Sequence, residues 1–268
     1  MGKVFAIANQ KGGVGKTTTA VNLSAFLAEA GKRTLLIDID PQGNATSGLG
    51  VNKKELQYSI YDALLNGQPL SLLRVETEIP WLDLVPSNRQ LAGAEVELVG
   101  VQSRENRLKA VLRELKEIYH FIIIDCPPSL GLLTVNSLTA ADAIIVPIQC
   151  EYYALEGISQ LLEAVRLVKG GLNPSLQVAG VLLTMADGRT SLSGQVVEEV
   201  RKFFDEKVYK TVVPRNVRLS EAPSFGQPIL LYDAFSSGAE AYRQLAKEVI
   251  YRDQESIREG LGISHSRG

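Results

Sequence analysis

A chain of 268 residues, 45% hydrophobic and 22% charged, is large enough to bury one sizeable core as a single α/β domain. A net charge of −2 argues against attraction of the whole surface to nucleic acid, while a local basic patch stays compatible with it. Two cysteines, Cys126 and Cys150, imply no disulfide framework and point to a reducing cytoplasm. No apolar run approaches about 20 residues, so no transmembrane helix is expected. The first apolar run reads as a strand rather than a signal peptide.

In chain order, Val4-Phe5-Ala6-Ile7-Ala8 predicts a buried strand, a glycine-rich loop follows, and residues 19–29 carry helical periodicity. Gly31 stops that helix, and residues 33–38 read as a second strand. Residues 82–86 form a shorter strand. The spacing over 104–119 predicts one helix with Leu108, Val111, Leu112 and Leu115 on its core face. Phe121-Ile122-Ile123-Ile124-Asp125 is apolar throughout, as a strand buried on both faces should be. Residues 143–147 and 178–183 repeat that character, with a helix over 155–168 between them that ends at Gly170-Gly171. The alternation predicts a mostly parallel sheet with helices on both faces, a three-layer α/β/α fold. One domain is expected over residues 1–253, with 254–268 as a flexible tail.

Lys11-Gly12-Gly13-Val14-Gly15-Lys16-Thr17-Thr18 lies between strand and helix, the context of a phosphate-binding loop. Glycines let successive backbone N–H groups converge on phosphate oxygens, and the helix N-terminus adds partial positive charge. Lys16 suits the β- and γ-phosphates, and the Thr17 hydroxyl suits Mg²⁺. The loop departs from G-x-x-x-x-G-K-[ST] because Gln10 stands at the first glycine, and Lys11 is a second lysine that an ordinary loop does not need. A dinucleotide fingerprint fits worse, since Thr18 occupies its third glycine. Two strands end in acids at the carboxyl edge, where an α/β sheet binds its ligand. Asp125 follows a hydrophobic run, the Walker B arrangement that holds a carboxylate near Mg²⁺. Alternation would turn Asp38 and Asp40 the same way if their strand persists to Asp40. A carboxylate there can orient the attacking water or hold the metal shell.

These segments, with Asp38-Ile39-Asp40-Pro41-Gln42-Gly43-Asn44 and Asp125-Cys126-Pro127-Pro128-Ser129, resemble the deviant Walker A P-loop NTPases. Within that superfamily they resemble the ParA/Soj chromosome-partitioning ATPases. Further matches run through residues 149–157 and 213–224, so the likeness spans nearly the whole chain in order. The resemblance implies ATP and Mg²⁺ as cofactors, and Lys11, Lys16 and Asp40 as catalytic residues. Lys11 would reach the phosphates of the partner subunit in an ATP-dependent sandwich homodimer, with Gly12 where two backbones meet. Nucleotide would contact Lys11, Gly12, Gly13, Val14, Gly15, Lys16, Thr17 and Thr18, with Pro214 and Asn216 lining the base. Thr17, Asp40 and Asp125 would serve the metal, and Arg189 and Arg218 would contact DNA. Residues 187–218 mix acids and bases almost evenly, so composition alone reads as a solvated face.

The implied partners are non-specific double-stranded DNA of the nucleoid and a ParB/Spo0J-type centromere-binding protein, with cytoplasmic, nucleoid-associated localisation. Met1 leads straight into the first strand, so operator binding through an added N-terminal helix-turn-helix is not expected. A MinD-like membrane-cycling ATPase is the main alternative, but the mixed charges after Ala239 lack the cationic amphipathic face that a lipid surface requires. A small-molecule kinase or ligase would need an acceptor motif of its own, and an electron-transfer relative would need bridging cysteines. Retention of Lys16, Asp40 and Asp125 argues against a non-enzymatic scaffold.

Overall fold

The computed structural model describes residues 1–151 and 158–260. Its strands are β1 (Lys3–Ile7), β2 (Thr34–Asp38), β3 (Val75–Glu76), β4 (Leu82–Val85), β5 (Phe121–Asp125), β6 (Ala143–Gln149), β7 (Gln177–Ala186) and β8 (Val208–Pro214). They form one sheet in the order β3-β4-β2-β5-β1-β6-β7-β8, parallel except where β3 runs against β4. The helices are α1 (Lys16–Glu29), α2 (Asn44–Gly48), α3 (Ile60–Asn66), α4 (Leu70–Leu73), α5 (Leu91–Glu97), α6 (Arg107–Leu112), α7 (Leu132–Ala140), α8 (Ile158–Gly171), α9 (Ser191–Phe204), α10 (Val217–Glu221), α11 (Ile229–Tyr232) and α12 (Ser237–Gly260).

Strand alternation divides the core into two layers. Val4, Ala6, Leu35, Ile37, Ile122 and Ile124 face the layer that α3 to α9 complete. Phe5, Ile7, Leu36, Phe121 and Ile123 face the layer of α1, α2 and α10 to α12. Both faces are covered, which is why the central strands are apolar through their middle positions on both sides. β1 lies between β5 and β6. The chain leaves β1 through α1 on one face and β5 through α7 on the other, so a crevice opens at the carboxyl end of β1.

One expectation is corrected. The helix over 104–119 is broken into a 3-10 turn (Arg104–Asn106), α6 and a second 3-10 turn (Leu115–Glu117). The buried Asn136 side chain takes both ends of one helical bond: Nδ2 donates to the Arg104 carbonyl at 2.8 Å and Oδ1 accepts from the Leu108 amide at 3.1 Å. Leu108, Leu112 and Leu115 still reach the core. β3 and β8 were not anticipated. The expected boundary at 253 falls inside α12, which runs to Gly260 and is anchored along β8 by Glu248 and Arg252. Residues 261–268 and the expected helical start at 155–157 lie outside the described residues.

Candidate active site

Gly13 and Gly15 hold the loop with φ of 76° and 87°, a region that side chains disfavour. Gly15 is the N-cap of α1 and no side chain caps it, so the first amides of a 14-residue helix stay available to an anion. Two residues absent from the sequence reading pin this loop. Asn9 donates to the Pro147 carbonyl at 2.7 Å and accepts from the Lys11 amide at 3.0 Å, while the Thr184 hydroxyl donates to the Val14 carbonyl at 2.9 Å. The buried Lys16 lies back across the loop, its Nζ donating to the Lys11 carbonyl at 3.0 Å. Burial lowers its pKa, and Asp125 and then Asp40 oppose that shift. Lys11 is half-buried and Gly12 exposed. Among the described residues a Cβ on Gly12 would meet nothing within 4 Å, and its φ lies outside the left-handed region. Nothing among the described residues of a single chain requires glycine there.

The three acids divide by what they bond. Asp125 pairs in register with both Ile7 and Asp38, so it stands at the sheet's switch point. It is fully buried, and among the described residues neither carboxylate oxygen has a hydrogen-bond partner. Burial raises its pKa well above the carboxylate range, Asp38 adds to that, and the Thr17 hydroxyl acts in the opposite sense. Asp38 is saturated instead: it accepts from the Thr46 amide and hydroxyl, both at 2.7 Å, and from the Asp40 amide at 3.2 Å. Burial pushes its pKa up to about 6, and the Thr46 bonds hold it from going higher.

β2 ends at Asp38, so strand alternation does not carry Asp40 to the site. A turn does. Asp40 is buried, its Oδ1 accepting from the Gln42 amide at 2.9 Å, and its charge is felt by both Lys16 and Asp125.

Beside the loop is a cavity of about 280 Å³ lined by Gly15, Thr18, Met185, Pro214, Asn216 and Tyr242. It brings the expected base-lining pair Pro214 and Asn216 next to the α1 N-terminus. Asn216 also caps α10, accepting from the Arg218 amide at 2.8 Å and donating to the Ser237 hydroxyl at 2.8 Å. One amide hydrogen and one oxygen lone pair stay free for a ligand. Arg189 and Arg218 are exposed, yet each already holds a carboxylate. Arg189 forks onto Asp187 with contacts of 2.9 and 2.7 Å, and Arg218 meets Glu221 at 3.0 Å and Asp233 at 3.5 Å. Cys126 and Cys150 are buried, and burial pushes their thiols up to about 12 and about 11, well away from the reactive thiolate range.

A glycine loop at the switch point of a parallel sheet, feeding an uncapped helix and facing a buried lysine and a buried acid, defines a P-loop ATPase of the deviant Walker A class. Residues 2–178 match a family model described as an AAA domain. The sporulation initiation inhibitor protein Soj of Bacillus subtilis is 62% identical over 249 residues, 93% of this chain and 98% of that one. The chromosome partitioning protein ParA of Myxococcus xanthus is 57% identical, covering 94% of this chain and 89% of its own. A solved structure named cobyrinic acid a,c-diamide synthase, from Mycobacterium smegmatis with bound ADP and magnesium, superposes with a TM-score of 0.84 at 39% identity, covering 96% and 97% of the two chains. The chain belongs to the ParA/Soj family of chromosome-partitioning ATPases. Identity at this level favours that branch over the MinD-like alternative. Among the described residues no helix is long and apolar enough to cross a membrane.

Proposed function

We propose that the chain is a nucleotide-switched partition ATPase that forms an ATP-dependent homodimer, binds non-specific DNA in that state and is released by hydrolysis. Asp125 is the observation that carries this reading. A buried carboxylate with no hydrogen-bond partner among the described residues, close to the Thr17 hydroxyl and the Lys16 ammonium, has free oxygens suited to a divalent cation. Mg²⁺ would be held by Thr17 and Asp125 with Asp40 in its shell, and when bound supplies neutralisation of charge on the β- and γ-phosphates. Residues 11–18 wrap the phosphates, Lys16 answers their charge, and Pro214 and Asn216 flank the base. Asp40 orients the attacking water.

Lys11 and Gly12 support the dimer. Lys11 offers a second cation that one site does not use, and Gly12 is glycine without a reason inside one chain. Both are accounted for if a second copy presents its ATP across that surface. Arg189 and Arg218 supply phosphate contacts that double on dimerisation. A ParB/Spo0J-type protein is the partner that stimulates hydrolysis, with cytoplasmic, nucleoid-associated localisation and no membrane step. Chain boundaries follow the same reading: one ATPase domain to about residue 253, with α12 carrying it further.

Analytical ultracentrifugation with ATP, ADP or no nucleotide, each with and without DNA, tests the cycle. A dimer with ATP alone and DNA co-sedimentation restricted to that state are expected, both prolonged in Asp40→Ala. A monomer under every condition, or normal turnover in Asp40→Ala, overturns the reading.

A further inference from the structure

The placement of Asp40 is a structural problem that its own strand does not solve. A water-orienting carboxylate must be held within a fraction of an ångström, and misplacement by about 1 Å can cost on the order of 100-fold in rate. The β2 ladder stops at Asp38, and Asp40 sits two residues further on, in a turn.

A closed set of buried hydrogen bonds does the holding. Asp38 Oδ1 accepts from the Asp40 amide at 3.2 Å. Asp38 Oδ2 accepts from the Thr46 amide and from its hydroxyl, both at 2.7 Å. The same Thr46 oxygen accepts from the Ser87 amide at 2.9 Å, and the Ser87 hydroxyl donates to the Asp40 carbonyl at 2.7 Å. The Gly43 amide donates to that carbonyl as well, at 2.9 Å. The path thus runs from Asp38 through Thr46 and Ser87 back to Asp40, fixing the peptide groups on both sides of the Asp40 Cα. Asp38, Thr46 and Ser87 are all 0% exposed. A hydroxyl has one hydrogen to give, and Thr46 gives it to Asp38 while accepting from Ser87, so the pattern has one consistent direction.

The chemistry of the three residues fits this use and little else. Among the described residues Asp38 makes no hydrogen bond to the phosphate loop, although it stands beside Asp125 in register. Its carboxylate is spent on backbone and hydroxyl donors. Ser87 follows β4 and Thr46 belongs to α2, so three elements that meet at the carboxyl edge are tied to one turn. We infer that Asp38, Thr46 and Ser87 are positioning residues for hydrolysis, acting on Asp40 through its backbone and never touching the nucleotide. This rests on the assignment of Asp40 proposed above.

The test compares Ser87→Ala, Thr46→Val and Thr46→Ser with the parent protein and with Asp40→Ala, measuring steady-state ATP turnover, KM for ATP and the lifetime of the ATP-bound dimer. Ser87→Ala removes one hydroxyl from a small buried site, and Thr46→Val keeps its shape. The expected result is a fall in kcat of roughly 10- to 100-fold with KM within about twofold. The ATP dimer should persist longer in proportion, and Thr46→Ser should restore both. A residue that only supports folding would lower the active fraction without lengthening the dimer's life. If Asp40→Ala slows turnover while Ser87→Ala and Thr46→Val do not, the inference falls and the Asp40 assignment stands. If Asp40→Ala turns over normally, the assignment falls first. Parallel losses of kcat and ATP affinity, with no rescue by Thr46→Ser, would also overturn the inference.

Discussion

At the scale of single residues, the site is built from groups that are unfavourable in isolation. Asp125 gives up its hydration without gaining a donor, and Lys16 is buried with only a carbonyl to bond. Both conditions lower the stability of the ligand-free chain, and the proposed phosphate and cation contacts would relieve them. Asp125→Leu keeps the branching of the side chain and removes the unpartnered polar group. The ligand-free variant is expected to be more stable by about 1 kcal/mol, the lower end of the cost of burying a polar group without a partner. The Mg²⁺-dependent part of the rise in Tm with ATP should vanish, while a smaller Mg²⁺-independent rise from Lys16 and the loop amides stays. Differential scanning fluorimetry with ATP, with and without Mg²⁺, measures both. An unchanged Mg²⁺ increment would mean that Asp125 holds no metal.

At the scale of elements, β8 is the least expected part of the fold and depends on its neighbour. It is the sheet's outer strand, and its register against β7 shifts between the Val181–Val208 and Leu183–Val212 pairs. The bulge leaves the consecutive Lys210 and Thr211 amides facing one direction, and the Glu248 carboxylate of α12 accepts both, at 2.8 and 3.1 Å. Arg252 closes the arrangement, bonding Glu248 at 2.9 Å and the Val208 carbonyl at 3.0 Å while its guanidinium lies 4.4 Å from the Tyr209 ring centre. An edge strand left with open amides is a pairing hazard, and this acid covers it. Glu248→Ala should therefore lower the unfolding free energy by about 1–3 kcal/mol, read from urea melts. A loss under about 0.5 kcal/mol, ordinary for a surface change, would remove the latch. The same element explains what the sequence could and could not tell. The central strands, α1 and the phosphate loop were legible because each rests on a local pattern: an apolar run, a 3.6-residue period, or glycines before Lys16. β8 has no such pattern, because Lys210 and Thr211 interrupt it and its support comes from 38 residues further along. The break near α6 is equally non-local, since Asn136 enters from 28 residues away. In the site, residues 11–18 and Asp125 were read from motif and strand end, whereas Asn9, Thr184 and Ser87 act through partners as distant as 170 positions. For Asp40, alternation held only if β2 persisted that far, and β2 stops short of it, so its role rested on the family resemblance.

At the scale of the whole molecule, a net charge of −2 must be reconciled with the proposed binding to DNA. Two features of the surface make this a matter of geometry rather than total charge. Arg189 follows the end of β7 and Arg218 opens α10 after β8, so neighbouring strands bring them to one edge. Arg215 joins them there, its amide donating to the Ala186 carbonyl at 2.9 Å. The second feature works against binding. Each expected contact is already paired with an acid, and a phosphate must displace Asp187 from Arg189, or Glu221 and Asp233 from Arg218. Exposed pairs of this kind contribute little in water, so the exchange is cheap, but it leaves little net gain per contact in one chain. Two copies joined on ATP would present four such arginines together, and the gains add while the cost of association is met once. Affinity should then depend on dimerisation more steeply than on any one arginine. The salt dependence isolates the contact itself. Arg218→Ala removes two phosphate contacts from a dimer, so the slope of log K against log salt should flatten by about 1.8. Between 50 and 200 mM salt that is roughly a tenfold smaller loss of affinity. The variant should bind DNA more weakly at low salt and keep its ATP-dependent dimer by ultracentrifugation. Fluorescence anisotropy with a random-sequence duplex over that salt range gives the slope. An unchanged slope with an intact dimer would return Arg218 to the role its ion pairs already describe, a surface residue that fastens α10 to Asp233.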